Sequence, residues 1–255
     1  MTGADEGTLS FMSDKTVIGL SRLIALQQQV DNLARNVANQ NTTGFKREGI
    51  RFLEYLTDAK EADDIPSAPK RSLVAVTGYT DFSAGSLQLT GNSTDAAVLG
   101  DGFFVVRTSR GDRYTRNGAF TLDKQGRLVT LSGDLVLAAN GTIKVPLTDL
   151  NLSIGTDGTI STARSIIGRL RVVKFDDPRS LVAEGTGLFA SGSPPIELNA
   201  GSIRLATNAL ERSNVNSIRE MSDLVAATRA YEQVANVVLK DGDPNELKTL
   251  AGEDL

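Results

Sequence analysis

The N-terminal part of the chain carries a narrow apolar seam. Its leucine and valine residues recur in alternating steps of three and four, which is the spacing of a helix face that packs against another helix. Asp14 suits the N-cap position, so the pattern predicts a helix over residues 15–39. This N-terminal seam consists of Leu23, Leu26, Val30, Leu33 and Val37.

An asparagine-rich corner ends this predicted helix. Short amide and hydroxyl side chains compete for backbone hydrogen bonds, and a glycine accepts the left-handed conformation of a helix C-cap. The stretch over residues 45–56 mixes apolar and charged positions and fits either an extended arm or a short helix. The corner comprises Asn36, Asn39, Asn41, Thr42, Gly44 and Phe45.

A second seam with the same spacing lies near the other end of the chain. Ser213 or Asn214 is expected to begin its helix, and the Asp-Gly-Asp-Pro run over residues 241–244 to end it. Two apolar seams, one at each end, need each other or a neighbouring subunit for burial. This C-terminal seam consists of Met221, Leu224, Thr228, Tyr231, Ala235 and Val238.

The middle of the chain is predicted to form many short strands. Short apolar runs alternate with turn dipeptides, and Asn140-Gly141 and Asp157-Gly158 accept the positive φ of hairpin turns. A longer β-branched run over 166–175 predicts one further strand, stopped by the Asp-Asp-Pro that follows. The shorter predicted strands cover residues 72–76, 86–90, 102–108, 113–117, 119–122, 127–131 and 135–138.

These patterns predict an α+β fold in which the N- and C-terminal helices form a coiled-coil-like axial domain, and the middle of the chain forms a central all-β domain. An acidic, proline-bearing linker separates the two parts. The alternative is that both helices simply cover the sheet, but a helix on a sheet usually shows a wider apolar stripe. The predicted segments are a flexible lead-in (1–14), the helix, corner and linker (15–70), the β domain (71–207), the last helix (208–242) and an acidic tail (243–255).

Composition removes most kinds of chemistry. The chain has neither cysteine nor histidine, so it lacks the commonest general base and the commonest transition-metal ligands, and no cofactor is expected. The net charge of −4 arises entirely from residue 211 onward, where five basic residues face nine acidic ones. No basic patch favours nucleic acid, and no apolar run is long enough to span a membrane.

Three local motifs are better explained by a structural role than by ligand binding. Gly100-Asp101-Gly102 superficially matches a dinucleotide loop, but a β-forming run follows where a phosphate-binding helix must begin. The acidic positions near 123 and 176 lack the alternating ligands of a calcium loop. Arg107, Arg110, Arg113 and Arg116 are read as surface charge rather than an anion site.

Three ordered blocks of the sequence resemble the flagellar axial proteins, the family of rod and hook subunits. The first resembles the rod signature of that family, the second covers much of the β region, and the third contains an Arg-Ala-Tyr-Glu run. The blocks are residues 36–46, residues 80–136 with Gly100-Asp101-Gly102-Phe103-Phe104 and Tyr114-Thr115-Arg116-Asn117-Gly118-Ala119-Phe120, and residues 210–216 with Glu220-Met221 and 229–232.

The resemblance implies a non-enzymatic subunit of the bacterial flagellar basal-body rod. Such subunits leave the cell through the flagellar type III export apparatus, cross the periplasm as a rod and transmit torque. The implied partners are copies of this chain and other rod proteins, without membrane insertion. A proximal rod subunit is favoured over a distal rod or short hook subunit. A β-rich adhesive module with helical stalks and an unusual carboxylate enzyme remain alternatives.

Elementary physics suggests how such a subunit assembles. Isolated helices are marginal in water, so we expect the terminal segments to order fully when neighbours bury their seams. A head-to-tail contact repeated with a fixed rotation and rise produces a helical tube. The expected assembly interface is Leu23, Leu26, Val30, Leu33, Asn36, Val37, Asn39, Asn41, Thr42, Gly44, Phe45, Ser213, Asn214, Val215, Asn216, Met221, Leu224, Tyr231, Ala235 and Val238.

Overall fold

The computed structural model describes residues 6–58, 70–146, 149, 151–185 and 187–241. Its chain divides into two compact units. The helical unit contains the described residues of Met1–Val37, Glu48–Tyr79 and Ser217–Leu255, and the β unit contains Ala38–Arg47 and Thr80–Asn216. None of the described helices is long and apolar enough to cross a membrane.

The helical unit consists of two helices and a two-stranded sheet. Helix α1 spans Glu6–Ala38 and helix α2 spans Ser217–Asp241. Strands β1 (Glu48–Asp58) and β2 (Lys70–Thr80) form the sheet. The stretch after the corner is therefore extended, and the predicted strand at 72–76 belongs to this unit rather than to the β domain. Of the predicted linker, residues 59–69 lie outside the described residues.

The two helices run antiparallel and touch near both ends of their shared length. Asn36 of α1 bonds Glu220 of α2 at one end. At the other end Gly19 lies so close to Val238 that an added Cβ would sit 2.5 Å from a valine methyl carbon. About 26 Å of helix separates the two contacts on each partner, at about 1.5 Å per residue.

Both predicted helix starts were wrong. Helix α1 begins at Glu6 rather than at residue 15, since a nucleated helix gains one hydrogen bond per added residue and residues 6–14 contain no proline to stop it. Helix α2 begins at Ser217 rather than at Ser213 or Asn214. The Asn214 side chain is bonded to Arg47, Asp81 and Ser83 instead, so it does not cap α2.

The β unit is built around a ten-stranded sheet with the main order β15-β16-β6-β5-β9-β8-β7. Strand β10 joins at β9, and β14 joins at β5 and carries β17. A three-stranded sheet (β11-β12-β13) and two strand pairs (β18-β4 and β19-β3) complete it. The strands are β3 Leu87–Leu89, β4 Ala96–Val98, β5 Phe103–Thr108, β6 Gly111–Thr115, β7 Phe120–Leu122, β8 Leu128–Thr130, β9 Leu135–Ala138, β10 Gly141–Thr142, β11 Ser153–Ile154, β12 Thr159–Ser161, β13 Ile166–Arg169, β14 Val172–Lys174, β15 Val182–Ala183, β16 Leu188–Ala190, β17 Ile196–Glu197, β18 Leu205–Thr207 and β19 Ala209–Glu211.

Strand β5 lies at the centre of this sheet and is buried on both faces. Phe104 and Val106 face one apolar cluster, while Phe103 and Val105 face the other. This explains the continuous apolar run that begins at Phe103, because only a strand covered on both sides loses the apolar–polar alternation. The strand also begins directly after Gly102, which confirms that the Gly100-Asp101-Gly102 motif is a turn.

The long strand predicted over 166–175 is two strands in different sheets. β13 pairs with β12, whereas β14 pairs with β5 and β17. The chain changes sheets at Leu170, which is buried and bridges Ala138. Periodicity missed this break because both halves are equally apolar. The hairpin turns at Asn140-Gly141 and Asp157-Gly158 are confirmed, since both glycines have positive φ and strands flank each turn.

Substitutions at two leucines near the β8–β9 turn test which positions belong to the hydrophobic core. Leu137 is 2% exposed and Leu131 is 75% exposed. We expect Leu137→Ala to lower the free energy of unfolding by about 2–5 kcal/mol, because it leaves a cavity. Leu131→Ala should change it by less than about 0.5 kcal/mol. Urea unfolding followed by the fluorescence of the four tyrosines, of which Tyr114 shares a core cluster with Leu137, measures both values. Equal losses would contradict the assigned core.

Candidate assembly site

The buried face of α1 lies beside the predicted N-terminal seam. Leu33 is buried as expected, whereas Leu23, Leu26, Val30 and Val37 are half-buried. The most buried positions of the described part of α1 also include Ala25 and the two amides Asn32 and Asn36. The helix therefore turns a mixed apolar and polar face inward.

The inward face of α2 is rotated slightly from the predicted C-terminal seam, so that two of the six seam positions are exposed. Leu224, Tyr231 and Ala235 are half-buried and Val238 is buried, but Met221 and Thr228 are exposed. The buried positions are instead Glu220 and Ala227, each one residue earlier. The rotation has a polar cause, because the Glu220 carboxylate is held against α1 and turns Met221 away from it.

Asn36 holds α1, β1 and α2 together through one amide group. Its Nδ2 donates to a Glu220 carboxylate oxygen at 2.9 Å and to the Glu48 carbonyl oxygen at 2.7 Å, and its Oδ1 accepts from the Glu48 N–H at 2.9 Å. Both Asn36 and Glu220 are fully buried. A buried polar pair inside a helix contact disfavours other registers, since any slip leaves both groups unsatisfied.

The corner is seated on the β unit, to which it belongs. Gly44 has a φ of +69°, and its N–H donates to the Glu211 carbonyl oxygen at 2.7 Å. A Cβ at this position would lie 2.4 Å from the Asn117 nitrogen. Only glycine fits, for two independent reasons: the left-handed backbone and the absence of space.

A buried ion pair lies directly behind the corner. The Lys46 ammonium is 2.6 Å from a Glu211 carboxylate oxygen and also donates to the Ser83 carbonyl oxygen at 2.7 Å. The Gly85 N–H donates to the same carboxylate oxygen at 2.9 Å. Burial lowers the pKa of Lys46, and the bond to Glu211 opposes that shift. The pair thus joins the segment after α1 to the strand before α2.

Arg116 adds a second cation to this cluster. Its guanidinium lies 3.8 Å from the other Glu211 oxygen, donates to the Gly100 carbonyl oxygen at 2.6 Å and stacks over Phe103. Desolvation lowers its pKa, while the nearby Glu211 carboxylate opposes that effect. Arg116 was predicted to be surface charge, and that was wrong, since it is 2% exposed.

Most of the remaining predicted site residues form single hydrogen bonds near the corner. The Thr42 hydroxyl donates to the Asn39 side-chain oxygen, the Phe45 N–H donates to the Thr42 carbonyl oxygen, and Phe45 is buried. Asn41 accepts from Arg212, and Asn214 accepts from the Arg47 N–H at 2.7 Å. The Val215 N–H donates to the Ser213 hydroxyl, and Asn216 is exposed.

Sequence reasoning missed the charged members of this site, namely Lys46, Glu211 and Glu220. All three lie inside the blocks that resemble the axial proteins, which was the available signal. Periodicity could not reveal them, because an isolated charged residue is most often exposed. Their burial depends on partners that are distant in the chain: Lys46 and Glu211 are 165 residues apart, and Asn36 and Glu220 are 184 residues apart.

Comparison with protein families matches three models in chain order. Residues 18–46 match the "Flagella basal body rod protein" model and residues 97–162 match the "Flagellar hook protein FlgE/F/G D1 domain". Residues 206–239 match the "Flagellar basal body rod FlgEFG protein C-terminal" model. The first model covers the seam and corner of α1, and the last covers β19 and nearly all of α2.

Full-length relatives extend this match. The flagellar basal-body rod protein FlgF of Caulobacter vibrioides is 33% identical over 229 residues, which cover 89% of this chain and 93% of the relative. The chain belongs to the flagellar basal-body rod protein family. FlgF of Mesorhizobium japonicum is 30% identical over 95% of this chain and all of the relative. FlgG of Buchnera aphidicola from Schizaphis graminum is 34% identical over 84% and 90%.

The family blocks coincide with the tightest packing around the corner. Gly44 and Lys46 come from the rod block, and Glu211 comes from the C-terminal block. In the middle block, a Cβ on Gly118 would lie 1.6 Å from the Ala96 carbonyl oxygen. Residues from all three family blocks therefore pack together around the corner, and we call this region the junction.

Removing one partner of the buried ion pair tests this junction. We expect Lys46→Met to lower the free energy of unfolding by about 3 kcal/mol, because it leaves the buried Glu211 carboxylate with only the more distant Arg116 as a cationic partner. Glu211→Gln keeps an acceptor for the Gly85 N–H, and the double variant Lys46→Met/Glu211→Gln should lose less than the sum of the two single losses. Urea unfolding measures the two single variants and the double variant. Additive losses would show that the two residues do not interact.

A pair of glycine variants separates backbone strain from lack of space at the corner. Gly44 and Gly133 both have positive φ, but no atom lies within 4 Å of a Cβ built on Gly133. Gly133→Ala should cost about 1–2 kcal/mol of unfolding free energy from strain alone. Gly44→Ala should cost at least about 1 kcal/mol more, because backbone must move. Equal costs in thermal unfolding would contradict the close seating of the corner.

Proposed function

We propose that this chain is a structural, non-enzymatic subunit of the bacterial flagellar basal-body rod, of the proximal type that its relatives represent under the name FlgF. The match to FlgF relatives supports this type, because those alignments span 89–95% of this chain, compared with 84–87% for the FlgG relatives. FlgG-type distal rod and short hook subunits are the alternatives within the family.

The observation that carries the assembly mechanism is that α2 has two apolar faces. One face, with Leu224, Ala227 and Val238, is turned into the helical unit. The other face presents Ile218, Met221 and Val225, which are 82%, 48% and 51% exposed. These three residues follow the i, i+3, i+7 spacing of a helix face that packs against another helix. A helix with a covered face and an apolar exposed face is suited to a second helical partner.

Copies of this chain and other rod proteins are the proposed partners of the exposed face. The contact is heterologous, because the face of one copy meets a different surface of the next, and such contacts propagate into tubes when the rotation does not close. The paired helices then form a coiled-coil-like axial layer. Among the interface residues predicted from the sequence, Met221 is assigned to the exposed face, whereas Leu33, Asn36, Phe45 and Val238 are buried within the subunit and are assigned to shaping it.

Within the β unit, Gly44, Lys46 and Glu211 hold together the two chain segments that continue into α1 and α2. In the proposed rod, each subunit passes torque on through segments held in this way. We propose export through the flagellar type III apparatus and a final location in the rod across the periplasm.

Two neighbouring substitutions on α2 test the exposed face. Met221→Glu places a charge within the apolar stripe, whereas Ser222→Glu places the same charge one residue along the helix, where the side chain is exposed and polar. We expect both proteins to fold, and only Met221→Glu to abolish swimming when it replaces the native copy in the source bacterium. Motility in soft agar and recovery of the chain in isolated basal bodies measure this. Normal rods with Met221→Glu would refute the assignment.

A further inference from the structure

The last segment of the β unit lies along a stretch from much earlier in the chain. It contains β18, which pairs with β4, and β19, which pairs with β3, and both pairs lie outside the ten-stranded sheet. Backbone bonds extend this pairing at both ends. The Leu99 N–H donates to the Arg204 carbonyl oxygen at 2.8 Å, and the Arg212 N–H donates to the Ser86 carbonyl oxygen at 2.8 Å. We call residues 204–214 the closing strap.

Asn208 bends the closing strap between its two strands. Its φ of +55° is a left-handed conformation, which asparagine tolerates better than most residues other than glycine. Its N–H donates to the Asp95 carbonyl oxygen at 3.0 Å, and its carbonyl oxygen accepts from the Thr90 N–H at 2.8 Å and from the Gly91 N–H at 3.3 Å. The hydrogen bonds therefore continue through the bend and join β18 and β19 into one bonded segment.

The end of the closing strap holds the corner. The Gly44 N–H donates to the Glu211 carbonyl oxygen, and the Lys46 ammonium is bonded to the Glu211 carboxylate. The Arg47 N–H donates to the Asn214 side-chain oxygen at 2.7 Å. All three bonds break when the strap leaves its place, so the corner stays seated only while the strap is closed.

The closing strap buries less apolar surface than the ten-stranded sheet does. Its buried apolar side chains are those of Leu205 and Ala209, and β4 beneath it contributes two alanines and a valine. The ten-stranded sheet instead buries aromatic rings, with Phe104 in one cluster and Phe103 in the other. Stabilisation by burial grows with apolar area, and opening the strap also returns the buried ion pair to water. Opening the strap therefore costs less free energy than unfolding the sheet.

We propose that the closing strap opens and closes as one unit and releases the corner while the ten-stranded sheet stays folded. Proteins open in such cooperative units at free energies below that of global unfolding. The strap is also close to the end of the β unit in chain order. In a chain made from its N-terminus, the corner is therefore seated only after nearly all of that unit is present. This opening is a property of the β unit and does not depend on the proposed assembly.

The absence of cysteine from the chain allows one introduced thiol to report opening of the full-length protein. Ala209→Cys places the thiol in the strap, where the native side chain is 1% exposed, and Val105→Cys places it in the central strand, where the native side chain is fully buried. Labelling with a soluble disulfide reagent is followed under native conditions. We expect the strap thiol to react at least about tenfold faster than the sheet thiol. Equal rates would mean that global unfolding exposes both thiols, which overturns the proposal.

Two matched leucine variants test whether the strap opens as one unit. Leu205 lies in β18 and Leu137 lies in β9, and each is 2% exposed. In the Ala209→Cys protein, Leu205→Ala should speed labelling at least about tenfold, because the open strap has already lost the contacts of that side chain. Leu137→Ala should change the rate by less than about twofold, because its contacts persist when the strap alone opens.

The same two variants have a different expected effect on the sheet thiol. Both should speed the labelling of Val105→Cys, because global unfolding breaks the contacts of both leucines. At Ala209→Cys, a speed-up from both variants would mean global unfolding, and a speed-up from neither would mean that β19 opens without β18. Either result overturns the proposal.

A third variant tests whether opening releases the corner. In the Ala209→Cys protein, Lys46→Met should speed labelling at least about tenfold, because the native ion pair stabilises the closed strap and is absent from the open one. An unchanged labelling rate would mean that the ion pair persists when the strap opens. The corner would then stay seated, and the proposed coupling between strap and corner would be wrong.

Discussion

The structure depends on the buried ion pair between Lys46 and Glu211. It connects two chain segments that are 165 residues apart and places the entrance and the exit of the β unit side by side. Coulomb attraction is strong in a site shielded from water, and removing one partner destabilises the fold because the other charge stays buried without it. The pair therefore specifies one arrangement of the junction more than it adds stability, and the Gly44 and Gly85 backbone bonds to Glu211 support that arrangement.

The helical unit uses a polar contact in a similar way. Asn36 joins α1, β1 and α2 with three hydrogen bonds of 2.7–2.9 Å, and the close approach of Gly19 and Val238 marks the other end of the helix pair. Apolar contacts alone tolerate small slips, but a buried amide facing a buried carboxylate does not. The contact between Asn36 and Glu220 therefore fixes one register of α1 against α2, and this register determines which residues of α2 face outward.

The β unit is a closely packed body. Its central strand is covered on both faces, and ring pairs such as Phe104–Phe120, with centroids 5.1 Å apart, fill the interior. Such packing resists deformation, because close-packed interiors have little free volume. This property suits a structural member of the rod family.

The sequence by itself determined the presence of a helix on each side of the β region, the strand-rich middle and the family. These features are local, since they follow from the spacing of apolar residues, from turn dipeptides and from short motifs around Gly44 and Arg116. Only the tertiary structure decided that Lys46, Arg116 and Glu211 are buried together, that Met221 faces outward and that the run through Leu170 changes sheets. Those outcomes depend on partners distant in the chain, and a pattern of hydrophobic and polar positions carries no information about which distant residue satisfies a buried charge.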